Sequence, residues 1–225
     1  MTTNELQKEF ALIFPFWDKL SEDDRTLLCH HSVQSNFNHG TNIHGGNDKC
    51  TGAIVVKNGC VRVYMLSEEG REITLYRLYK GDICMLSASC VMKSITFDVI
   101  VDADTDCECI IISGKMFSEV AERNVYVKNF ALETAVSRFS DVMWVMQQIL
   151  FMSFDKRLAI FLTDELAKSG SDIIKLSYEQ IAKYMGSARE VVSRMMKYFT
   201  SEGIAEKTRD GIHILDKAKL RSLTI

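Results

Sequence analysis

Within residues 176–199 the chain sets Arg189, Glu190, Ser193, Arg194 and Lys197 at spacings that share one side of a helix. At about 100° per residue they fall within an arc of about 140°. Val192, Met195, Met196 and Phe199 gather on the opposite side. The polar set is made of residue types that read base edges. An arginine donates two parallel hydrogen bonds to guanine O6 and N7, a glutamate accepts from cytosine N4, and a serine reaches a base or a phosphate. These residues also lie near the N-terminal end, the part of a recognition helix that enters the major groove. A solvated amphipathic helix would carry a similar face, with Glu190 only a cap, so the flanking segments must decide.

Those flanks favour DNA. Ser177 and Gln180 have capping-box spacing and predict a helix start, Ala182 is small where two helices would approach, and Gly186 ends the first helix at low conformational cost. A second helix is expected from Ser187 or Ala188, with Ser187 and Glu190 repeating the capping-box spacing. Helix, glycine turn, helix is the helix-turn-helix pattern. Residues 205–208 and 212–215, around Arg209-Asp210-Gly211, then predict a two-stranded wing whose Lys207 and Arg209 could touch phosphates. The candidate DNA contacts are Ser177, Ser187, Arg189, Glu190, Ser193, Arg194, Lys197, Lys207 and Arg209.

The segments that must position this set have other periodicities. Short helices are expected at 4–12 and 21–31. Residues 37–113 read as strands: 53–57, 60–65, 72–78, 97–101 and 107–112 are short, rich in β-branched and aromatic residues, and separated by turn signals. The turn at Asn58-Gly59 is the strongest hairpin cue, and so many short strands predict a closed β-roll or jelly-roll barrel. From 116 to 151 turn residues vanish apart from Arg123-Asn124. Leu132, Ala135/Val136, Phe139, Val142/Met143, Met146 and Ile149/Leu150 recur at alternating three- and four-residue steps. A seam of this kind usually meets another helix. Dimerisation through Leu132, Val136, Phe139, Met143, Met146 and Leu150 is expected, with packing on the chain's own barrel as the alternative. The class is therefore α+β: an N-terminal β-roll (jelly-roll barrel) at 1–115, a long central dimerisation helix at 116–152 and a C-terminal winged helix-turn-helix at 153–225.

Composition excludes several classes. The chain has 225 residues, 47% hydrophobic and 25% charged, which is globular rather than disordered. Its net charge of −3 hides an asymmetry: residues 153–225 carry 13 Lys and Arg against 10 Asp and Glu, the rest 14 against 20. The basic excess sits on the helix-turn-helix segment. No targeting leader is expected from residues 1–10, and 142–154, interrupted by Gln147 and Gln148, is shorter than the ~20 residues of a membrane helix. Seven cysteines form no disulfide-like framework. Reduced thiols, a cytoplasmic location and no membrane partner are expected. No nucleophile elbow, P-loop or G-x-G-x-x-G is present, so no enzyme is expected.

Over essentially its whole length the chain resembles the Crp/Fnr family of bacterial transcription regulators. The run Gly186-Ser187-Ala188-Arg189-Glu190-Val191-Val192-Ser193-Arg194 carries the resemblance. Glu190, Ser193 and Arg194 match the E-x-x-S-R set of the Fnr branch, and Arg189-Glu190 with Arg194 equally resembles the R-E-x-x-x-R of the Crp branch. Gly59, Gly70 and Gly81-Asp82 fall where the family's β-roll turns. The resemblance implies a homodimer on double-stranded DNA, a pseudo-palindromic operator, RNA polymerase as a partner, and a small-molecule effector in the β-roll.

The effector pocket departs from the family's pattern. Where the family's cyclic-nucleotide cassette has Gly-Glu for the ribose and Arg-Ser or Arg-Thr for the phosphate, residues 83–98 hold no arginine, glutamate or glycine. Burying a phosphodiester without a paired cation is costly, so cyclic AMP is disfavoured, with Lys93 and Ser94 or Thr96 a weak substitute. The candidate pocket is Tyr76, Cys84, Ser87, Ser89, Cys90, Lys93 and Thr96. An iron–sulfur cluster is disfavoured because Cys29 is the only cysteine before residue 50. No zinc spacing occurs, and no metal site is expected. Cys107-Glu108-Cys109 reads as packing. Cys84 and Cys90 read as structural, with a redox switch as the alternative. Haem on His30, His31, His39, His44 or a cysteine resembles known family variants but is less favoured than an exposed or hydrogen-bonded histidine. The effector stays unidentified. The competing readings are a redox- or haem-responsive regulator and a small-molecule-binding, cupin-like protein with an interaction tail.

Overall fold

The computed structural model describes residues 2–45, 51–85 and 99–225. Helix α1 (Thr3–Ile13) starts on a capping box formed by Thr2 and Glu5. It stops at Phe14, which is extended, as expected of the residue before Pro15. After one 3-10 turn at Trp17–Lys19, Ser21 caps α2 (Glu22–His30) by accepting from the Asp24 N–H. Phe10, Phe14, Phe16 and Trp17 form an aromatic cluster in which Phe14 and Phe16 meet Phe117 and Phe130, paired ring centroids lying between 4.9 and 6.5 Å apart.

Among the described residues eight strands follow: β1 (Ser32–Phe37), β2 (Asn42–His44), β3 (Ala53–Asn58), β4 (Val61–Leu66), β5 (Glu72–Leu78), β6 (Ile83–Cys84), β7 (Ile100–Ala103) and β8 (Cys107–Ile112). They form two four-stranded sheets, ordered β1-β8-β3-β6 and β2-β7-β4-β5. This is the double-sheet jelly roll expected from the many short strands. Along β3, Ala53 and Val55 face the N-terminal aromatic cluster, while Ile54 and Val56 join the core shared by the two sheets. A strand buried on both sides needs a continuous apolar run rather than an alternating one, and Ala53-Ile54-Val55-Val56 supplies it.

One expected hairpin is corrected. Asn58-Gly59 does turn the chain, with Gly59 at φ 81° and the site of a Cβ only 2.3 Å from the Asp106 carbonyl oxygen. Yet β3 pairs with β8 and β6, and β4 with β7 and β5. The turn therefore crosses between sheets. Strand β1 begins at Ser32, earlier than expected, and the predicted strand at 97–101 lies partly outside the described residues.

The Arg123-Asn124 interruption separates α3 (Gly114–Arg123) from α4 (Val125–Phe151). The Asn124 side chain accepts from the Tyr126 and Val127 N–H groups, opening the second helix. Arg123 also reaches back to the buried carboxylate of Asp24, at 2.8 Å from Nε, tying α3 to α2. Helix α4 uses two faces. Val127 and Ala131 are buried and Val142 packs on the sheet core, whereas Leu132, Val136, Phe139, Met143, Met146 and Leu150 are exposed.

The chain divides into two compact units, residues 1–65 with 75–142 and residues 66–74 with 143–225. The second contains α5 (Phe154–Ser169), β9 (Ile173–Ile174), α6 (Tyr178–Met185), α7 (Arg189–Ser201), β10 (Ala205–Lys207), β11 (Ile212–Ile214) and α8 (Lys217–Ser222). Its core joins Leu158, Leu162, Ile181, Val192, Met196, Phe199 and Leu220. The wing is three-stranded, ordered β10-β11-β9, one strand more than the sequence suggests. Among the described residues no helix is long and apolar enough to cross a membrane.

Candidate nucleic-acid interface

Helix α6 opens on the predicted capping box: Ser177 Oγ accepts from the Gln180 N–H at 3.1 Å, and Gln180 Oε1 accepts from the Ser177 N–H at 2.9 Å. It closes at Gly186, left-handed at φ 59° and ψ 45°, after which the Ser187 N–H donates to the Ala182 carbonyl at 2.9 Å. That bond commits Ser187 to the turn. The second capping box is therefore corrected: Ala188 is the N-cap of α7, no side chain caps it, and Glu190 is an exposed carboxylate in the first turn. A carboxylate there is favoured by the partial positive charge of a helix N-terminus.

Helix α7 divides by face. Val192, Met196 and Phe199 are fully buried and Met195 is half-buried. Arg189, Glu190, Arg194 and Lys197 are exposed, and Ser193 is half-exposed between them. The burial of one side fixes the rotation of the helix, so the polar set projects away from the core as a rigid array.

The wing lies beside the start of α6. Lys207 ends β10, opposite Ile212 of β11, and Arg209 occupies the turn. Gly211, at φ 143°, is required there because a Cβ would lie 2.3 Å from the Ile174 carbonyl oxygen. The Thr208 N–H donates to the Gly211 carbonyl at 2.8 Å and closes the turn. Between the wing and α6 runs a groove of about 510 Å³ lined by Lys175, Ser177, Tyr178, Arg189, Lys207 and Arg209, with Glu179 and Asp210 also on its walls. The ammonium of Lys207 stands 4.9 Å from the centroid of the Tyr178 ring. Burial pushes the Tyr178 hydroxyl above its ordinary pKa, so it stays neutral near neutral pH.

Several residues that hold this arrangement escape a reading of the sequence. The Arg71 guanidinium donates twice to the Gly186 carbonyl, once from Nε at 2.9 Å. Arg157 Nη2 donates to the Met185 carbonyl at 2.6 Å, and Thr74 Oγ1 donates to the Lys183 carbonyl at 3.5 Å. Together they satisfy carbonyls that the end of a helix leaves open, with cations where the helix dipole favours them. Arg157 is half-exposed, and burial and then the Arg71 charge lower its pKa from the ordinary value. Nothing local in the sequence pairs Arg71 with Gly186. Tyr178 was readable, since it directly follows the Ser177 cap.

Of the candidate effector residues, Tyr76 and Cys84 are buried, and Ser87, Ser89, Cys90, Lys93 and Thr96 lie outside the described residues. The Arg138 guanidinium sits 5.0 Å from the Tyr76 ring centroid and pairs with Asp141 at 3.0 Å and Asp82 at 3.5 Å. Burial first, then neighbouring Cys84, pushes the Tyr76 hydroxyl above the phenol range. Cys107 and Cys109 are buried with sulfurs 3.9 Å apart. Burial raises both thiols, and raises Cys60 to about 12 and Cys29 to about 11, so all four are protonated and suit packing. His30, His31 and His39 are exposed, and buried His44 has Nδ1 2.7 Å from Thr51 Oγ1. Among the described residues no group of three His, Cys, Asp or Glu could hold a metal ion.

Residues 156–223 match the Crp-like helix-turn-helix domain, and residues 34–124 match the cyclic nucleotide-binding domain. A solved structure from Eubacterium rectale, assigned to the crp/fnr family of transcriptional regulators, is 42% identical with a TM-score of 0.89. That match covers 95% of this chain and 99% of the other. The chain belongs to the Crp/Fnr family. As a Crp/Fnr protein it is a DNA-binding transcription regulator with an effector-binding domain. The cAMP-activated global transcriptional regulator CRP of Haemophilus influenzae is 24% identical over 212 residues, covering 90% of this chain and 93% of that protein. The c-di-GMP responsive regulator CLP of Xanthomonas campestris shares the fold at 18% identity, with a TM-score of 0.69 over 87% of this chain and 100% of the other.

Proposed function

We propose that this Crp/Fnr chain acts as a homodimer reading a pseudo-palindromic operator, with one α7 helix in the major groove of each half-site. What carries the reading is the arc of Arg189, Glu190, Ser193, Arg194 and Lys197 on a helix whose opposite face buries Val192, Met196 and Phe199. Arg189 and Arg194 can donate to guanines, Glu190 can accept from a cytosine, and Ser193 reaches a base or phosphate. Ser177 and Ser187 at the helix-turn-helix and Lys207 and Arg209 in the wing supply backbone contacts. The dimer forms along α4 through Leu132, Val136, Phe139, Met143, Met146 and Leu150. The regulator works in the cytoplasm with RNA polymerase as its partner. Selection from a randomised duplex library is expected to enrich an inverted repeat with half-site centres about one helical turn, roughly 10 base pairs, apart. Enrichment of a single site without symmetry would defeat the dimeric reading.

The effector is a small molecule held in the β-roll, and it is not cyclic AMP. One relative's name gives cAMP and another's c-di-GMP, so effector choice lies in the lining rather than in the fold. Residues 83–98 supply no arginine for a phosphodiester. Titration calorimetry with cyclic AMP is expected to show no binding at micromolar concentrations, and a micromolar isotherm would overturn the assignment.

A further inference from the structure

One wall of the groove between the wing and α6 is aromatic. Tyr178 is the first residue of α6, directly after the Ser177 cap, and its ring packs against the core of the second unit. The ring is therefore held by a helix start and by the core, while its face meets the Lys207 ammonium at 4.9 Å. Lysine is a flexible four-carbon stem that would otherwise sample many rotamers. An aromatic face attracts a cation through its quadrupole without neutralising it. A carboxylate partner would place Lys207 equally well but cancel the charge that a phosphate needs. The groove presents four cations, Lys175, Arg189, Lys207 and Arg209, against the carboxylates of Glu179 and Asp210.

We propose that Tyr178 is a positioning residue of this groove, holding Lys207 of the wing toward the DNA backbone phosphate that the wing contacts. The proposal rests on the DNA-binding reading and names a further part of the same site. Arg194 supplies base discrimination, and the groove supplies a contact indifferent to sequence. The role of Tyr178 lies in the ring face and not in the hydroxyl, so phenylalanine is expected to replace it.

The test is the salt dependence of binding to a selected operator, measured by fluorescence anisotropy for the wild type and for Tyr178→Leu, Tyr178→Phe, Lys207→Ala and Tyr178→Leu with Lys207→Ala. Each lost phosphate contact lowers the slope of log K against log salt by about 0.9. For each wing, this makes the loss of affinity between about 50 and 200 mM salt about 3.5-fold smaller. Lys207→Ala is expected to show that change, Tyr178→Leu most of it, and Tyr178→Phe almost none. The double variant is expected to match Lys207→Ala alone, because both changes remove one contact. A Tyr178→Leu slope equal to wild type, or losses that add in the double variant, would overturn the proposal. So would an unchanged slope in Lys207→Ala. In each of these cases, a wild-type protein that still selects its operator through Arg194 would leave the DNA-binding reading intact. If the wild type bound no duplex, both would fall. Unfolding curves separate a lost contact from a lost wing, since the proposal requires Tyr178→Leu to retain a cooperative transition near that of Tyr178→Phe.

Discussion

Replacing Arg194 by alanine is expected to weaken operator binding by about 1–3 kcal/mol per half-site and to relax the preference at one G·C pair in each. That range is roughly five- to 150-fold at 25 °C for each half-site. The side chain is exposed and lies on the face of α7 opposite Val192, Met196 and Phe199, so removing it opens no cavity in the core. The unfolding midpoint should therefore move little, as for a surface substitution. A bidentate arginine discriminates because the wrong base leaves its donors unmatched. The discriminating measurement is a binding series over every single-base variant of one half-site. Loss of preference at one position assigns Arg194 to a base. An even loss across all variants would instead make it a phosphate contact and move the base-reading role toward Arg189. Lys197→Ala is the internal comparison. A loss spread evenly over sequences, with a smaller salt slope, is what a phosphate lysine gives.

The helix-turn-helix was legible in the sequence because its signals are local. Ser177 and Gln180 are three residues apart, Gly186 fills a left-handed position, and the two faces of α7 follow from its period. Where a local signal failed, a backbone bond outcompeted a side-chain one: Ser187 gave its N–H to Ala182 and Ala188 became the cap. The β-roll was legible as a class and not as a pairing. Asn58-Gly59 makes a turn in either topology. What decides that β3 joins β8 is the burial of Ala53, Val55, Ile110 and Ile112 against the N-terminal aromatic cluster. A contact that depends on two distant segments and on helices α1 and α3 leaves no trace in a window of ten residues. The hold of Arg71 on Gly186 is of the same kind, joining positions 115 residues apart. The third wing strand is only Ile173–Ile174, too short to show a period.

The small basic excess of the C-terminal segment sets how these contacts combine. A surplus of three charges over residues 153–225 gives little non-specific attraction, and about 0.9 of salt slope comes from each phosphate engaged. On the proposed reading, more of the operator affinity is expected to come from placement than from bulk charge. The structure shows that placement: α7 locked in rotation by its buried face, the turn carbonyls held by Arg71 and Arg157, and Lys207 resting on a fixed ring.

Phe139→Glu is expected to turn the proposed dimer into a monomer and to reduce operator affinity by more than about a hundredfold. Phe139 is 65% exposed within one chain, and Leu132 and Val136 beside it are 55% and 65% exposed. That is too much apolar surface on one helix face to leave in water, and the three- and four-residue steps align it for a second α4. Burying a phenylalanine stabilises by about 1.5–3 kcal/mol, and a symmetric interface counts it twice. The glutamate adds a second cost, since two carboxylates near a twofold axis repel and are desolvated. A monomer then meets the operator with one half-site instead of two. Because the side chain is largely free of contacts in its own chain, the helical circular dichroism should persist while light scattering reports half the mass. Retention of the dimer would mean that the seam packs on something other than its own copy, and the paired-half-site reading would fail with it. Val142→Glu is the contrasting case. Val142 packs on the core of the β-sheets, so its replacement should lower the unfolding temperature of the chain rather than change its association alone.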